Sequence, residues 1–175
     1  VEIRRPSPEF RRSLDRLLNL LVGLEVVEGR GDHIVLQCFI REDYEVRNVL
    51  SRMDSISRSM YLDAAGALER GDEELLKLVR SRDDRLDRLY FLAVRLLRSS
   101  AQSPTLSGRE RVFLIDARLV AKILEEIGDE AERLTYMKPG EGLVSAAELI
   151  AECQRRAVDS FLRGGCCEAP IDELR

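Results

Sequence analysis

Two pairs of carboxylates carry the strongest chemical signal in this sequence. Asp83 and Asp87 stand four residues apart with Asp84 between them, and Glu125 and Asp129 repeat that spacing further along. On a helix, residues at i and i+4 lie one turn apart on a single face, and two like charges there repel by a few tenths of a kcal/mol. A divalent or trivalent cation would remove that repulsion, because hard cations take oxygen ligands and two adjacent helices could supply four or more. A second reading stays open. Arg80, Arg82, Arg85 and Arg88 accompany the first pair, and Lys122 and Arg133 flank the second, so both pairs could be solvated faces laced with ion pairs worth little each. Asp83 is less ordinary. It occupies the step between Val79 and Leu86 in an otherwise apolar stripe, where an unpaired carboxylate is costly, so it calls for an arginine or a metal as partner.

Other site chemistries are poorly supplied. His33 is the only histidine, which excludes the Glu-x-x-His pair of a ferritin-like di-iron centre and the two-histidine zinc helix. It stands in a predicted strand beside Asp32 with no nucleophile to serve. Cys38, Cys153, Cys166 and Cys167 show no C-x-x-C spacing, and a vicinal pair suits neither one metal nor an unstrained disulfide. They read as small half-buried hydrophobes in a reducing compartment. There is no glycine-rich phosphate loop and no nucleophile elbow, so no catalytic residue is assigned. A carboxylate-bound metal hydrolase is the one enzymatic alternative left. No residue set for a free phosphate anion stands out.

The net charge of −4 argues against a general nucleic-acid binder, which needs a basic field to neutralise phosphates. Arg4, Arg5, Arg11, Arg12 and Arg16 form a local basic group near the start. No stretch approaches the ~18 uncharged apolar residues of a spanning helix, and no apolar segment of secretory type follows the first residues. Cytoplasm is the expected location.

The elements that must position these carboxylates are mostly helices. Ser7 as N-cap and Pro8 at the first helical position open a helix that runs to Gly23. Two β-rich runs around Gly29-Arg30-Gly31-Asp32 predict a hairpin. Two strands alone are marginal in water, so the hairpin must lean on the first helix or pair with another copy. Four long amphipathic helices follow. The first spans about 45–69, with Val49, Met53, Ile56, Met60, Ala64 and Ala67 on one face and Gly71 as its stop. The second spans 72–100, with Leu76, Val79, Leu86, Tyr90, Ala93 and Leu97. The third spans 109–136 along Val112, Leu119, Val120, Ile123, Ile127, Ala131 and Leu134, which sets Arg118, Lys122, Glu125, Asp129 and Arg133 opposite the apolar face. The fourth spans 143–162 along Ala147, Ile150, Cys153, Ala157 and Phe161. Such helices with short connections predict an up-and-down bundle.

The fourth long helix echoes the first: Ser51, Ile56, Leu68 and Gly71 align with Ser145, Ile150, Leu162 and Gly165. That suggests a repeat whose second copy begins at the fourth helix and is incomplete here. The chain, which starts with Val1, reads as an excerpt of a longer protein. The expected division is an N-terminal helix and β-hairpin appendage over 1–45, a three-helix repeat over 46–140, and the first helix of a second repeat over 141–175.

The run RDDRLDRLYFLAVRLLR resembles the helix of PhoU proteins in which an acidic x-x-x-Asp motif precedes an aromatic and aliphatic run ending in Arg. LVAKILEEIGDEAERL is similar to the family's second signature, Glu-x-x-x-Asp with Gly just before the Asp, matched by Glu125, Gly128 and Asp129. Glu126 departs from it where many members have Arg. RMDSISRSMYLDAAGALERGD resembles the helix that opens a PhoU repeat, and the likeness covers roughly 46–165. Residues 7–40 resemble a segment that in archaeal members follows an AbrB-like DNA-binding hairpin domain, a module this sequence lacks. The resemblance implies a mainly α fold, an up-and-down bundle of PhoU-type three-helix repeats. It implies multinuclear iron or zinc on acidic motifs, with Asp83, Asp87, Glu125 and Asp129 as the metal ligands here. Its functional implication is a non-enzymatic negative regulator of high-affinity phosphate uptake. The expected partners are a phosphate ABC transporter or sensor proteins and a second copy in a homodimer, with no membrane insertion and DNA contact only through the lacking module. The alternative is a transcriptional regulator fragment of AbrB-PhoU type.

Overall fold

The computed structural model describes residues 2–30, 33–38 and 45–164. The chain divides into two compact units, Val1–Tyr44 and Glu45–Arg175.

In the first unit, strand β1 (Glu2–Arg4) precedes helix α1 (Pro8–Leu20), followed by β2 (Leu24–Arg30) and β3 (His33–Cys38). Ser7 caps α1 by accepting a hydrogen bond from the Phe10 N–H, and Pro8 occupies the first turn, where its missing N–H costs nothing. The helix ends at Leu20, three residues short of Gly23. The expected hairpin forms as the antiparallel pair β2–β3, with a register irregularity between Val26 and Glu28. The turn residues Gly31 and Asp32 lie outside the described residues. The sequence reading missed β1, which pairs antiparallel with β3 and makes a three-stranded sheet in the order β1-β3-β2. Leu14 and Leu18 of α1 pack with Ile34, Leu36, Ile3 and Leu24. The hairpin thus gains both a third strand and a helix, the usual minimum for a small sheet to bury an apolar face.

The second unit is a helical bundle: α2 (Val46–Arg70), α3 (Glu73–Ala101), α4 (Gly108–Leu134) and α5 (Leu143–Arg163). Local chemistry sets the ends. Gly71 terminates α2 in the left-handed conformation at φ 67°, which only glycine adopts without strain. Asp72 caps α3, and Ser107 with Glu110 forms a capping box at the start of α4. Helix α2 is the central element: it packs on α3, α4 and α5, and α3 packs on α4, whereas α5 leans chiefly on α2. The core is filled by Leu50, Met53, Met60, Val79, Leu86 and Leu124, all essentially inaccessible.

Two predicted faces need correction. On α4 the buried residues are Ala117, Ala121, Leu124, Gly128 and Ala131, whereas Val112, Leu119 and Ile123 are exposed and Ile115 is 70% exposed. On α5 the buried residues are Ala147, Ala151 and Val158, with Ile150 and Ala157 exposed. Both helices carry apolar residues on more than one side. The side with small residues faces α2, because alanine and glycine let two helix backbones approach closely. Of the cysteines, Cys38 is exposed and Cys153 half-buried; Cys166 and Cys167 lie outside the described residues.

Candidate metal centre

Helices α3 and α4 run antiparallel beside α2, and side-chain contacts fix their register at two levels. Toward one end, Arg118 Nη2 of α4 donates to the Tyr90 hydroxyl of α3 at 2.8 Å, and its guanidinium lies 5.1 Å from the Tyr90 ring centroid. Toward the other, Arg80 Nη1 of α3 donates to Thr135 Oγ1 at 3.2 Å, and its guanidinium lies 5.0 Å from the Tyr136 ring. Between these clasps stand the acidic pairs. Asp83, Asp87 and Asp129 each offer an oxygen within 4.8 Å of the others, and all three are half-buried.

Glycine 128 makes this approach possible. A Cβ built there would lie 2.2 Å from Leu86 Cδ2 and 3.6 Å from Asp83 Oδ1, and Leu86 is fully buried with little room to move. The glycine before Asp129 therefore has a steric reason: without a side chain, α4 can sit close enough to α3 for its carboxylate to meet theirs.

Among the described residues, no cation forms an ion pair with these three aspartates. Arg82 donates to Asp63 on α2, Arg80 is engaged with Thr135 and Tyr136, and Arg85 and Arg88 are exposed. Asp83 Oδ1 is buried without any hydrogen-bond partner. Burial pushes the Asp83 carboxyl up to about 7, and the charges of Asp87, Asp129, Glu132 and Asp84 push the same way. The Asp87 carboxyl is raised as well, first by burial and then by Glu125, Asp129 and Asp84, with Lys122 opposing. Among the described residues, the ion pairs that the sequence offered do not reach Asp83, Asp87 or Asp129.

Glu125 stands apart from the close triad. It accepts from the Lys122 ammonium, which also lies 3.5 Å from Glu126 Oε1, although its charge is felt at Asp87. Glu132 was not singled out from the sequence, yet it is among the groups that raise Asp83. Its spacing from Glu125 and Asp129 continues the same helical face, a signal that could have found it.

A three-helix bundle whose second and third helices meet through paired carboxylates defines the class. Residues 50–136 match the family model described as the PhoU domain, a span that runs from the first turn of α2 to just past the end of α4. The chain carries this domain and belongs to the PhoU family. No curated protein and no solved structure matches the chain. No helix among the described residues is long and apolar enough to cross a membrane.

Proposed function

We propose that this protein is a cytoplasmic, non-enzymatic regulator of phosphate uptake that holds a metal ion between α3 and α4 and presents its bundle faces to transporter or sensor proteins, acting as a homodimer and a negative regulator. The observation that carries the reading is the convergence of three carboxylates from two helices, one of which, Asp83, has a buried oxygen, Oδ1, with no donor. Two oxygens on opposite sides of an ion at 2.0–2.4 Å are about 4–5 Å apart, which suits the 4.8 Å limit of the cluster. Asp83, Asp87 and Asp129 would hold the ion, and Glu125 could join after releasing Lys122. The ion would supply positive charge where three carboxylates now repel one another, and it would tie α3 to α4.

The donor set also bears on which metal. It is made of carboxylate oxygen alone, and zinc sites usually include sulfur or nitrogen ligands. A hard cation such as ferric iron fits these residues better than zinc. Membership of a phosphate-uptake family supports both the regulatory role and the non-catalytic one. Elemental analysis of protein purified without an affinity tag tests the proposal. Wild type should retain iron in near-stoichiometric amount, and the double variant Asp87→Ala/Asp129→Ala should lose it while keeping its helical circular-dichroism spectrum. Equal metal content in both would refute the site.

A further inference from the structure

Arg47, Arg109 and Arg163 are far apart in sequence and on three different helices, yet they line one cavity of about 670 Å³ at the end of the bundle where α2 and α4 begin and α5 finishes. Arg47 is anchored: its guanidinium lies 4.0 Å from the Phe113 ring centroid and donates to the Leu162 carbonyl oxygen. Phe113 in turn stacks on Phe161 with centroids 5.3 Å apart, so one side of the cavity has a rigid aromatic wall. Arg109 and Arg163 are exposed, and among the described residues neither has an ion pair or hydrogen bond. Two carboxylates share the lining. Glu110 is committed to the Ser107 N–H in the capping box, and Asp116 forms no ion pair among the described residues.

Guanidinium forks match carboxylate and phosphate oxygens alike, and the two lining carboxylates decide between them. An anion with a single charge would gain little beside Asp116 and Glu110, whereas a phosphate chain brings several charges to three separated cations. The volume agrees, since it lies in the range of sites for small organic ligands and is far larger than one phosphate needs. We propose that this cavity binds an oligophosphate group, either a free chain or the phosphate end of a nucleotide.

Isothermal titration calorimetry at low salt tests it, with EDTA present so that no metal at the acidic cluster can bridge to phosphate. Tripolyphosphate and ATP should bind at least about tenfold more tightly than inorganic phosphate. Arg109→Ala and Arg163→Ala should each weaken binding by about tenfold, the size of one charge-assisted hydrogen bond at a partly exposed site, while Arg70→Ala at the other end of α2 should leave it unchanged. Tighter binding of ATP than of tripolyphosphate, lost in Phe161→Leu, would assign the chain to a nucleotide; equal binding would assign it to phosphate alone. The proposal is overturned if inorganic phosphate binds as tightly as tripolyphosphate, if an acidic peptide outcompetes both, or if the two arginine variants bind like wild type.

Discussion

Two aspartates of one bundle meet burial in opposite ways. Asp54 on α2 is almost inaccessible, and its carboxylate is satisfied from inside the chain. Arg58 Nη2 and Nε donate to Oδ2 at 2.7 and 3.0 Å, and Gln154 of α5 donates to Oδ1 at 2.9 Å. The same Gln154 amide reaches Ser57 Oγ at 2.9 Å, and the Tyr61 hydroxyl donates to Gln154 Oε1 at 3.2 Å. Burial pushes the Tyr61 phenol up to about 12, which keeps it protonated as a donor. Asp83 has one buried oxygen with no donor, and the charges that raise its carboxyl are those of Asp87, Asp129, Glu132 and Asp84. A closed polar network fixes how two helices meet; an open one of a single sign calls for something from outside. The first is the seam that seats α5 on α2, and the second is where a metal is proposed.

That contrast can be broken by substitution. Asp54→Ala should have the largest effect, destabilising the protein by about 3 kcal/mol, because it strands a half-buried guanidinium and an amide together. Urea unfolding measures it, and a loss under about 1 kcal/mol would mean that the network does not organise the α2–α5 seam. Gly128→Ala comes next, at about 2 kcal/mol, since the added methyl must displace a fully buried Leu86. Gly66→Ala is the matched control. Its methyl meets only the far end of Arg70, at 3.1 Å, and alanine's helix propensity offsets the crowding. Both variants costing the same would show that the α3–α4 approach is not set by Gly128.

The smallest effect is a pH dependence of the metal-free protein. The Asp83 carboxyl titrates at about 7 in the folded state and near 3.9 when unfolded. The folded state therefore binds more protons between those values, and its stability falls as pH rises through 7. Thermal midpoints should drop by roughly 2–4 °C from about pH 5 to about pH 8. Asp83→Asn should flatten that trend, and an unchanged slope in this variant would remove Asp83 as its source.

Much of the bundle could be read in the residues alone. Ser7, Asp72, Ser107 and Gly71 mark helix ends by local chemistry, and all four long helices begin and end within about two residues of their predicted bounds. The buried faces of α2 and α3 are also close to expectation: Val49, Met53, Met60, Leu76, Val79, Leu86 and Leu97 are all buried. The odd carboxylate in that pattern, Asp83, is recognisable because it interrupts an apolar repeat. Helices α4 and α5 were misread for a physical reason. Their bulky apolar residues form one stripe and their small residues another, and hydrophobic size pointed to the wrong one. Strand β1 was missed because three residues are too few to show alternation.

The residues by themselves determined which segments are helical, where each stops, and that two turns carry like charges at one-turn spacing, because these depend on neighbours within a few positions. Only the tertiary structure decided that α4 turns its alanines and Gly128 inward, that Asp129 meets Asp83 and Asp87 while Glu125 stays with Lys122, and that arginines from three helices share one cavity. Each of those outcomes depends on which helix packs beside which and how closely, and helical periodicity is silent on both.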